Sequence, residues 1–270
     1  MNSGAIRVST VQLESSTEKD KNLEKVKKYA EIANKNSSDL LVFPEGFMFY
    51  SSPDEPLEKY LSKAEFINDN FVNSVKKISK EYSIPIIIGM HEKIKEVKRA
   101  YNTVIGVYDD QIFLTYRKTH LYDAFGFRES DKTYASNNNF QTFKLKDFVF
   151  GVMVCYEVRF PEIARTLTLD GAEVIVIPSA WVKGYNKEEN WFTLIKARAM
   201  ENTVYLVTSN QIGNIFTGIA SIVDPIGVIL NRCSEEECII TSDLYKERIK
   251  KVRDVLPLLN QRRTDLYKLD

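Results

Sequence analysis

Three short apolar segments of the sequence each lead into a side chain that can act as an acid, a base or a nucleophile. The segments and their side chains are residues 39–43 with Glu45, residues 112–117 with Lys118, and residues 148–154 with Cys155. Short apolar runs separated by stretches of helical spacing indicate an α/β fold with buried strands. In such folds the carboxyl ends of strands carry the side chains that face a ligand cleft.

The apolar pattern predicts strands that alternate with helices along the chain, with pairs of strands inserted. Strands are predicted near residues 5–12, 39–43, 84–90, 101–108, 111–117, 148–154, 173–177, 203–209, 216–224, 227–232 and 237–243. Helices are predicted near residues 16–34, 56–79, 161–170 and 186–202. This order indicates one α/β domain.

Composition is consistent with a single enzyme domain and excludes several other classes of protein. The chain has 270 residues, 44% of them hydrophobic, which is enough to bury a large core. Its formal net charge is zero and it has no basic stripe, so we expect no nucleic-acid partner. Apolar runs such as 84–90 are too short to span a membrane. Residues 1–7 lack the pattern of a signal peptide, so we expect a cytoplasmic protein.

The chain has three cysteines, an odd number that does not form the disulfide framework of a small secreted domain. Cys155 is expected to stay reduced. Cys233 and Cys238 flank residues 234–237, which resemble the tip of a hairpin. A cross-strand disulfide and two free thiols both remain open, whereas zinc is disfavoured because no histidine lies nearby.

Each reactive side chain also has an ordinary interpretation when it is considered alone. Cys155 can be a small buried apolar residue, Glu45 a helix cap, and Lys118 a surface lysine. Their occurrence at three strand ends favours chemistry, because amide hydrolysis by a thiol needs a nucleophile, a base and a cation together. Most cysteine hydrolases use histidine as the base, so His120 is an alternative. His91 is interpreted as an ordinary loop residue.

The sequence resembles the nitrilase superfamily of carbon-nitrogen hydrolases, whose members use glutamate, lysine and cysteine in this chain order. The matching segments are Phe43-Pro44-Glu45, Tyr116 to Asp123, Glu129-Ser130, Cys155 to Glu162, Pro178-Ser179-Ala180, Lys196 to Asn202 and Asp224-Pro225-Ile226-Gly227. Within the superfamily the motifs look most like the branch of deaminated glutathione amidase and omega-amidase. True nitrilases usually have tryptophan after the cysteine, whereas this chain has Tyr156, which favours an amide substrate.

The resemblance implies a four-layer α-β-β-α sandwich in which Cys155 is the nucleophile and Glu45 the general base. Lys118 and the backbone N–H of Tyr156 would bind the oxyanion, and Glu129 would orient Lys118 or the substrate. The product would be an acid and ammonia, formed through a thioester on Cys155. Neither a metal nor an organic cofactor is expected.

For the substrate, the resemblance suggests a small, carboxylate-bearing amide. Arg159 would bind the carboxylate, and Trp181 and Tyr122 would line the pocket. Phe49 and Tyr50 are further candidates for the lining. Residues 182–189 depart from the glutathione-type pattern, so specificity for the acyl part is open.

The predicted hydrolase domain covers residues 4–250, and the predicted extension, residues 251–270, would pack at the interface of a homodimer or larger homo-oligomer. Three alternative functions remain: an N-carbamoyl amino acid hydrolase, a nitrilase, and a catalytically idle metabolite-binding subunit.

Overall fold

Thirteen strands and six α-helices occur in residues 4–268, the part of the chain that the computed structural model describes. The strands are β1 (Ala5–Leu13), β2 (Leu40–Val42), β3 (Ile86–Lys93), β4 (Ala100–Tyr108), β5 (Gln111–Arg117), β6 (Thr142–Leu145), β7 (Phe148–Val152), β8 (Val174–Ser179), β9 (Tyr205–Gly213), β10 (Phe216–Thr217), β11 (Ser221–Val223), β12 (Ile229–Arg232) and β13 (Cys238–Tyr245). The helices are α1 (Lys19–Lys35), α2 (Leu57–Lys63), α3 (Asn70–Glu81), α4 (Pro161–Leu169), α5 (Lys187–Asn202) and α6 (Lys246–Val255). Two 3-10 helices cover Glu129–Asp131 and Cys155–Arg159.

The strands form two halves that meet at β1. The order is β5-β4-β3-β2-β1-β9-β8-β7-β6, with β1 parallel to both β2 and β9. β13 runs antiparallel to β1 along nearly its whole length, and β11 joins β9. The carboxyl ends of the parallel strands β2, β8 and β9 therefore point toward one region of the molecule.

Alternating side chains of the strands divide the apolar residues between two cores. Leu40, Val42 and Ile87 face the core that lies between the two halves of the sheet. Leu41 and Ile88, one position along, face the core beneath α1 and α3. This alternation is the two-residue period of a strand that is covered on both faces.

Helices cover the outer face of each half. α1 and α3 pack on the half that contains β2 to β4, and α4 and α5 pack on the half that contains β7 to β9. The layers therefore follow the order helix, sheet, sheet, helix. The predicted four-layer α-β-β-α sandwich in a single α/β domain is confirmed.

Predicted and observed elements agree in order and approximate position, with four exceptions. The helix predicted over 56–79 is two helices, because Glu65, after the end of α2, pairs with β3 through backbone hydrogen bonds to His91 and Lys93. The strand predicted over 216–224 is divided by Gly218 and Ile219, which both have positive φ. β6 and α6 were not predicted; each is short and buries few of its side chains.

α6 crosses the predicted domain boundary at residue 250. Its Ile249 and Val252 are buried against the domain, and Arg248 forms an ion pair with Asp224. The proposed contact of residues 251–270 with a second subunit stays a prediction, as does the cytoplasmic location. No helix within residues 4–268 is both long and apolar enough to cross a bilayer.

Cys233 and Cys238 form a disulfide, and Cys155 is a free, buried thiol. Of the two alternatives for Cys233 and Cys238, the disulfide is therefore correct. The expected hairpin is wrong, because β12 pairs with β11 whereas β13 pairs with β1. The disulfide joins the residue after β12 to the first residue of β13.

Candidate active site

The ammonium of Lys118 lies between the carboxylates of Glu45 and Glu129. Its Nζ is 2.8 Å from Glu45 Oε1 and 2.8 Å from Glu129 Oε2, and only 2% of the side chain is exposed. Lys118 follows β5, whereas Glu45 follows β2 and Glu129 opens a 3-10 helix. Three segments that are distant in the sequence thus supply one buried group of charges.

The two carboxylates are held by further hydrogen bonds that fix their orientation. Asn102 Nδ2 donates to Glu45 Oε1 at 2.7 Å and to Glu129 Oε1 at 2.9 Å. The backbone N–H of Ala180 donates to Glu45 Oε2 at 2.8 Å. The backbone N–H of Tyr122 donates to Glu129 Oε2 at 2.7 Å. Both oxygens of Glu45 are therefore occupied by donors before any substrate binds.

The charge of Lys118 is maintained by its neighbours. Burial opposes the charged ammonium, but the negative charges of Glu129 and Glu45 raise the pKa of Lys118 well above its ordinary value. Lys118 is therefore a buried cation at neutral pH.

Cys155 is held in a strained backbone conformation at the end of β7. Its φ is +46°, in the left-handed region that costs a residue other than glycine about 1–3 kcal/mol. Burial, followed by the charge of Glu45, raises the pKa of the Cys155 thiol well above its ordinary value, although Lys118 and the N–H of Ala180 act in the opposite direction. The raised pKa favours the neutral thiol, so a nucleophilic role for Cys155 would need a base.

Glu157 joins the segment that carries Lys118 to the segment that carries Cys155. Its carboxylate is fully buried and accepts hydrogen bonds from the Tyr116 hydroxyl at 2.9 Å and from the Val154 N–H at 2.8 Å. It also accepts from the N–H and the hydroxyl of Thr119, at 2.8 and 2.7 Å. Thr119 directly follows Lys118 and Val154 directly precedes Cys155 in the sequence, so Glu157 holds both segments in position.

Replacing Glu157 with glutamine is expected to lower kcat about 10- to 100-fold while KM changes less than about threefold. The NH2 of the glutamine would face N–H and O–H donors that bind a carboxylate oxygen in the wild type. This clash of donors should lower the free energy of unfolding by about 3 kcal/mol. Steady-state kinetics and urea unfolding measure the two effects. Glu162→Gln, at an exposed acid of α4, is the matched control. An unchanged kcat together with the lower stability would show that Glu157 only supports the fold.

The two histidines have different surroundings, and neither shows a hydrogen bond to Cys155. His120 is hydrogen-bonded through Nδ1 to the Thr119 hydroxyl, and its ring packs at a tilt against Phe160. The geometry therefore gives no support to His120 as the base. His91 is not the loop residue that we predicted: it lies in β3, and burial lowers its pKa to about 4.

A cavity of about 550 Å³ opens above Cys155, Glu45, Lys118 and Glu129. This volume suits a small molecule. Tyr122, Phe49 and Tyr50 line it as the sequence suggested. Asn102 and His91 also line it.

Trp181 and Arg159 are not among the residues that line this cavity. Trp181 is buried against Trp191, with ring centroids 4.9 Å apart. The Arg159 guanidinium lies 4.9 Å from the Trp181 ring centroid. Tyr156 is the second residue of the 3-10 helix that begins at Cys155, and the role of its N–H as an oxyanion donor stays a prediction.

Comparison with known proteins agrees with this arrangement. Residues 7–254 match the model of a protein family described as carbon-nitrogen hydrolase. The chain belongs to the carbon-nitrogen hydrolase family. A relative named deaminated glutathione amidase, from Escherichia coli O157:H7, is 35% identical over 86% of this chain and 87% of its own length. Mouse omega-amidase NIT2 is 29% identical over 98% of this hydrolase and 97% of its own length.

A solved structure shows the same fold. Saccharomyces cerevisiae Nit3, described as a member of branch 10 of the nitrilase superfamily, superposes with a TM-score of 0.85. It is 29% identical to this hydrolase, and the match covers 97% of both chains. The resemblance to the nitrilase superfamily and the prediction of a carbon-nitrogen hydrolase are confirmed.

No group of three or more histidine, cysteine or acidic side chains among residues 4–268 is arranged to bind a metal ion. The expected absence of a cofactor stays a prediction.

Proposed function

We propose that this hydrolase cleaves the C–N bond of a small carboxylate-bearing amide, with Cys155 as the nucleophile, and releases an acid and ammonia. The observation that carries the proposal is the buried Lys118, held between Glu45 and Glu129 beside a free thiol. Relatives that are named as amidases support the choice of reaction.

In the first half of the reaction a carbon–sulfur bond forms and the carbon–nitrogen bond breaks. Glu45 takes the proton from Cys155 Sγ as the sulfur attacks the carbonyl carbon. Lys118 Nζ and the N–H of Tyr156 bind the oxyanion. Glu45 then returns the proton to the leaving nitrogen, which departs as ammonia, and a thioester remains on Cys155.

In the second half water replaces the nitrogen. Glu45 takes a proton from a water molecule that attacks the thioester carbon, and Lys118 again binds the oxyanion. The carbon–sulfur bond breaks and the proton returns to Cys155 Sγ. The sum is an amide plus water giving an acid plus ammonia, and the enzyme is regenerated without a redox step.

The guanidinium of Arg159 supports a carboxylate on the substrate. Its Nε and Nη2 are buried and have no hydrogen-bond partner within residues 4–268. These two N–H groups lie on one edge of the guanidinium and match the two oxygens of a carboxylate. A buried donor without an acceptor costs about 1–3 kcal/mol, which a bound carboxylate would relieve.

The proposal is tested by measuring ammonia release from a panel of substrates. The panel contains ω-amides, deaminated glutathione, aliphatic amides, N-carbamoyl amino acids and nitriles. We expect the highest kcat/KM for a carboxylate-bearing amide, and we expect Arg159→Met to lower that value about 100-fold. Arg232→Met is the matched control, because this exposed guanidinium also lies over an aromatic ring. A higher kcat/KM for N-carbamoyl amino acids or nitriles would contradict the proposal, and so would the absence of ammonia release from every compound of the panel.

A further inference from the structure

Lys187 is a buried lysine in a segment that otherwise faces solvent. It is 7% exposed, whereas Tyr185, two residues earlier, is 92% exposed. The segment bends at Gly184, with φ +157°, and at Asn186, with φ +53°. A Cβ at Gly184 would lie 3.3 Å from Lys187 Cγ. The bend therefore directs Lys187 into the protein, and glycine at 184 leaves room for its side chain.

The ammonium of Lys187 sits among the aromatic rings next to the cavity. Its Nζ is 4.0 Å from the ring centroid of Phe125 and donates a hydrogen bond to the Tyr122 hydroxyl at 2.9 Å. It is also 5.6 Å from the ring centroid of Trp181. Tyr122 lines the cavity that contains Cys155, so Lys187 stands one side chain away from that cavity.

Arg159 shares these rings with Lys187. Its guanidinium carbon is 4.9 Å from the Trp181 centroid and 5.8 Å from the Phe125 centroid. Two cations thus contact the same two rings. Cation–π contacts stabilise each of them, but they do not neutralise the charges.

Neither cation has a carboxylate partner within 4.0 Å in the part of the chain between residues 4 and 268. Burial, followed by the charge of Arg159, lowers the pKa of Lys187, as expected for two like charges without a counterion. Only one of the three N–H bonds of the ammonium is needed for Tyr122. Buried cations in such a setting are costly unless an anion joins them.

We propose that Lys187 and Arg159 together bind one carboxylate of the substrate, on the side of the acyl chain that lies away from Cys155. The inference rests on the proposed function and extends it by a second cation, Lys187, at the carboxylate end of the substrate. The amide end lies at Cys155 and the carboxylate end lies between the two cations. A neutral amide gains nothing from the two cations, so the pair favours carboxylate-bearing amides over neutral ones.

Two chemically matched amides test the proposal, glutaramate with a terminal carboxylate and hexanamide with a terminal ethyl group in its place. We expect Lys187→Met to lower kcat/KM for glutaramate about 10- to 100-fold and to change kcat/KM for hexanamide less than about threefold. Lys187→Arg, which keeps the charge, should restore activity on glutaramate to within about fivefold of the wild type. Lys183→Met, at an exposed lysine of the same segment, is the matched control.

Binding of glutarate, measured by titration calorimetry, keeps the test independent of catalysis. Glutarate carries the same terminal carboxylate as glutaramate but has no C–N bond that the enzyme could cleave. Wild type should bind it at least about tenfold more tightly than Lys187→Met. If wild type and Lys187→Met bind glutarate equally, or use glutaramate equally, the inference fails while the proposed hydrolysis can still stand. If glutarate binds as expected but no amide is hydrolysed, the proposed function fails and the carboxylate site stands.

Discussion

Replacing Cys155 with alanine is expected to reduce ammonia release by a factor of about 10⁴ or more. The remaining groups can bind and polarise an amide, but no other thiol is available at the site, since Cys233 and Cys238 form a disulfide. The fold should survive, because alanine adopts the backbone of Cys155 at no greater steric cost. The rate is measured at saturating substrate, and circular dichroism checks the fold.

The double variant Cys233→Ala/Cys238→Ala is the matched control for the loss of sulfur. It should keep kcat within about threefold of the wild type at a temperature where it stays folded, because the disulfide lies outside the cavity lining. Residual activity in Cys155→Ala above about one hundredth of the wild-type rate would contradict the role of Cys155 as nucleophile.

Replacing Lys118 with methionine is expected to lower both activity and stability. Glu45 and Glu129 would face each other without the cation that now separates them, which costs about 4 kcal/mol of the free energy of unfolding. Loss of the oxyanion donor should reduce kcat about 10³-fold. Urea unfolding and steady-state kinetics measure the two effects.

The loss of stability in Lys118→Met should depend on pH with a definite sign. Without the ammonium, the two facing carboxylates repel each other in the folded state, and a proton on either one relieves the repulsion. This relief is present at low pH and is lost as pH rises and both carboxylates ionise. Lys118→Met should therefore be less stable at pH 8 than at pH 5, relative to the wild type.

The double variant Lys118→Met/Glu129→Gln separates charge from packing in this experiment. It removes one of the two facing carboxylates, so it should recover part of the stability at pH 8. Most of the pH dependence should disappear, whereas kcat should stay low. A loss of stability in Lys118→Met that is equal at pH 5 and pH 8 would contradict an electrostatic origin.

Most of the fold could be predicted from the sequence because the buried strands are apolar runs and α1, α4 and α5 have clear helical spacing. The errors have local causes. The break between α2 and α3 depends on backbone pairing of Glu65 with β3, which is a tertiary contact. α6 buries only two of its ten residues, Ile249 and Val252, so its apolar signal is weak.

The acid, the cation and the thiol of the site were found because each follows a predicted strand. Asn102 was missed because it lies inside β4, where one polar residue in an apolar strand carries no local signal. Lys187 was missed because it lies in a polar segment, and only the bend at Gly184 and Asn186 buries it. The residues that hold the reactive groups in place are therefore the ones that need the structure.

The central claim is a thioester on Cys155, and intact-protein mass spectrometry tests it most directly. Enzyme that is turning over glutaramate is quenched in acid within milliseconds, weighed, and then digested to locate the modification. We predict a mass increase equal to the acyl group, on the peptide that contains Cys155, which disappears when the substrate is exhausted. Ammonia production without an acyl adduct on Cys155 at any time point, or with an adduct on another residue, would contradict the account.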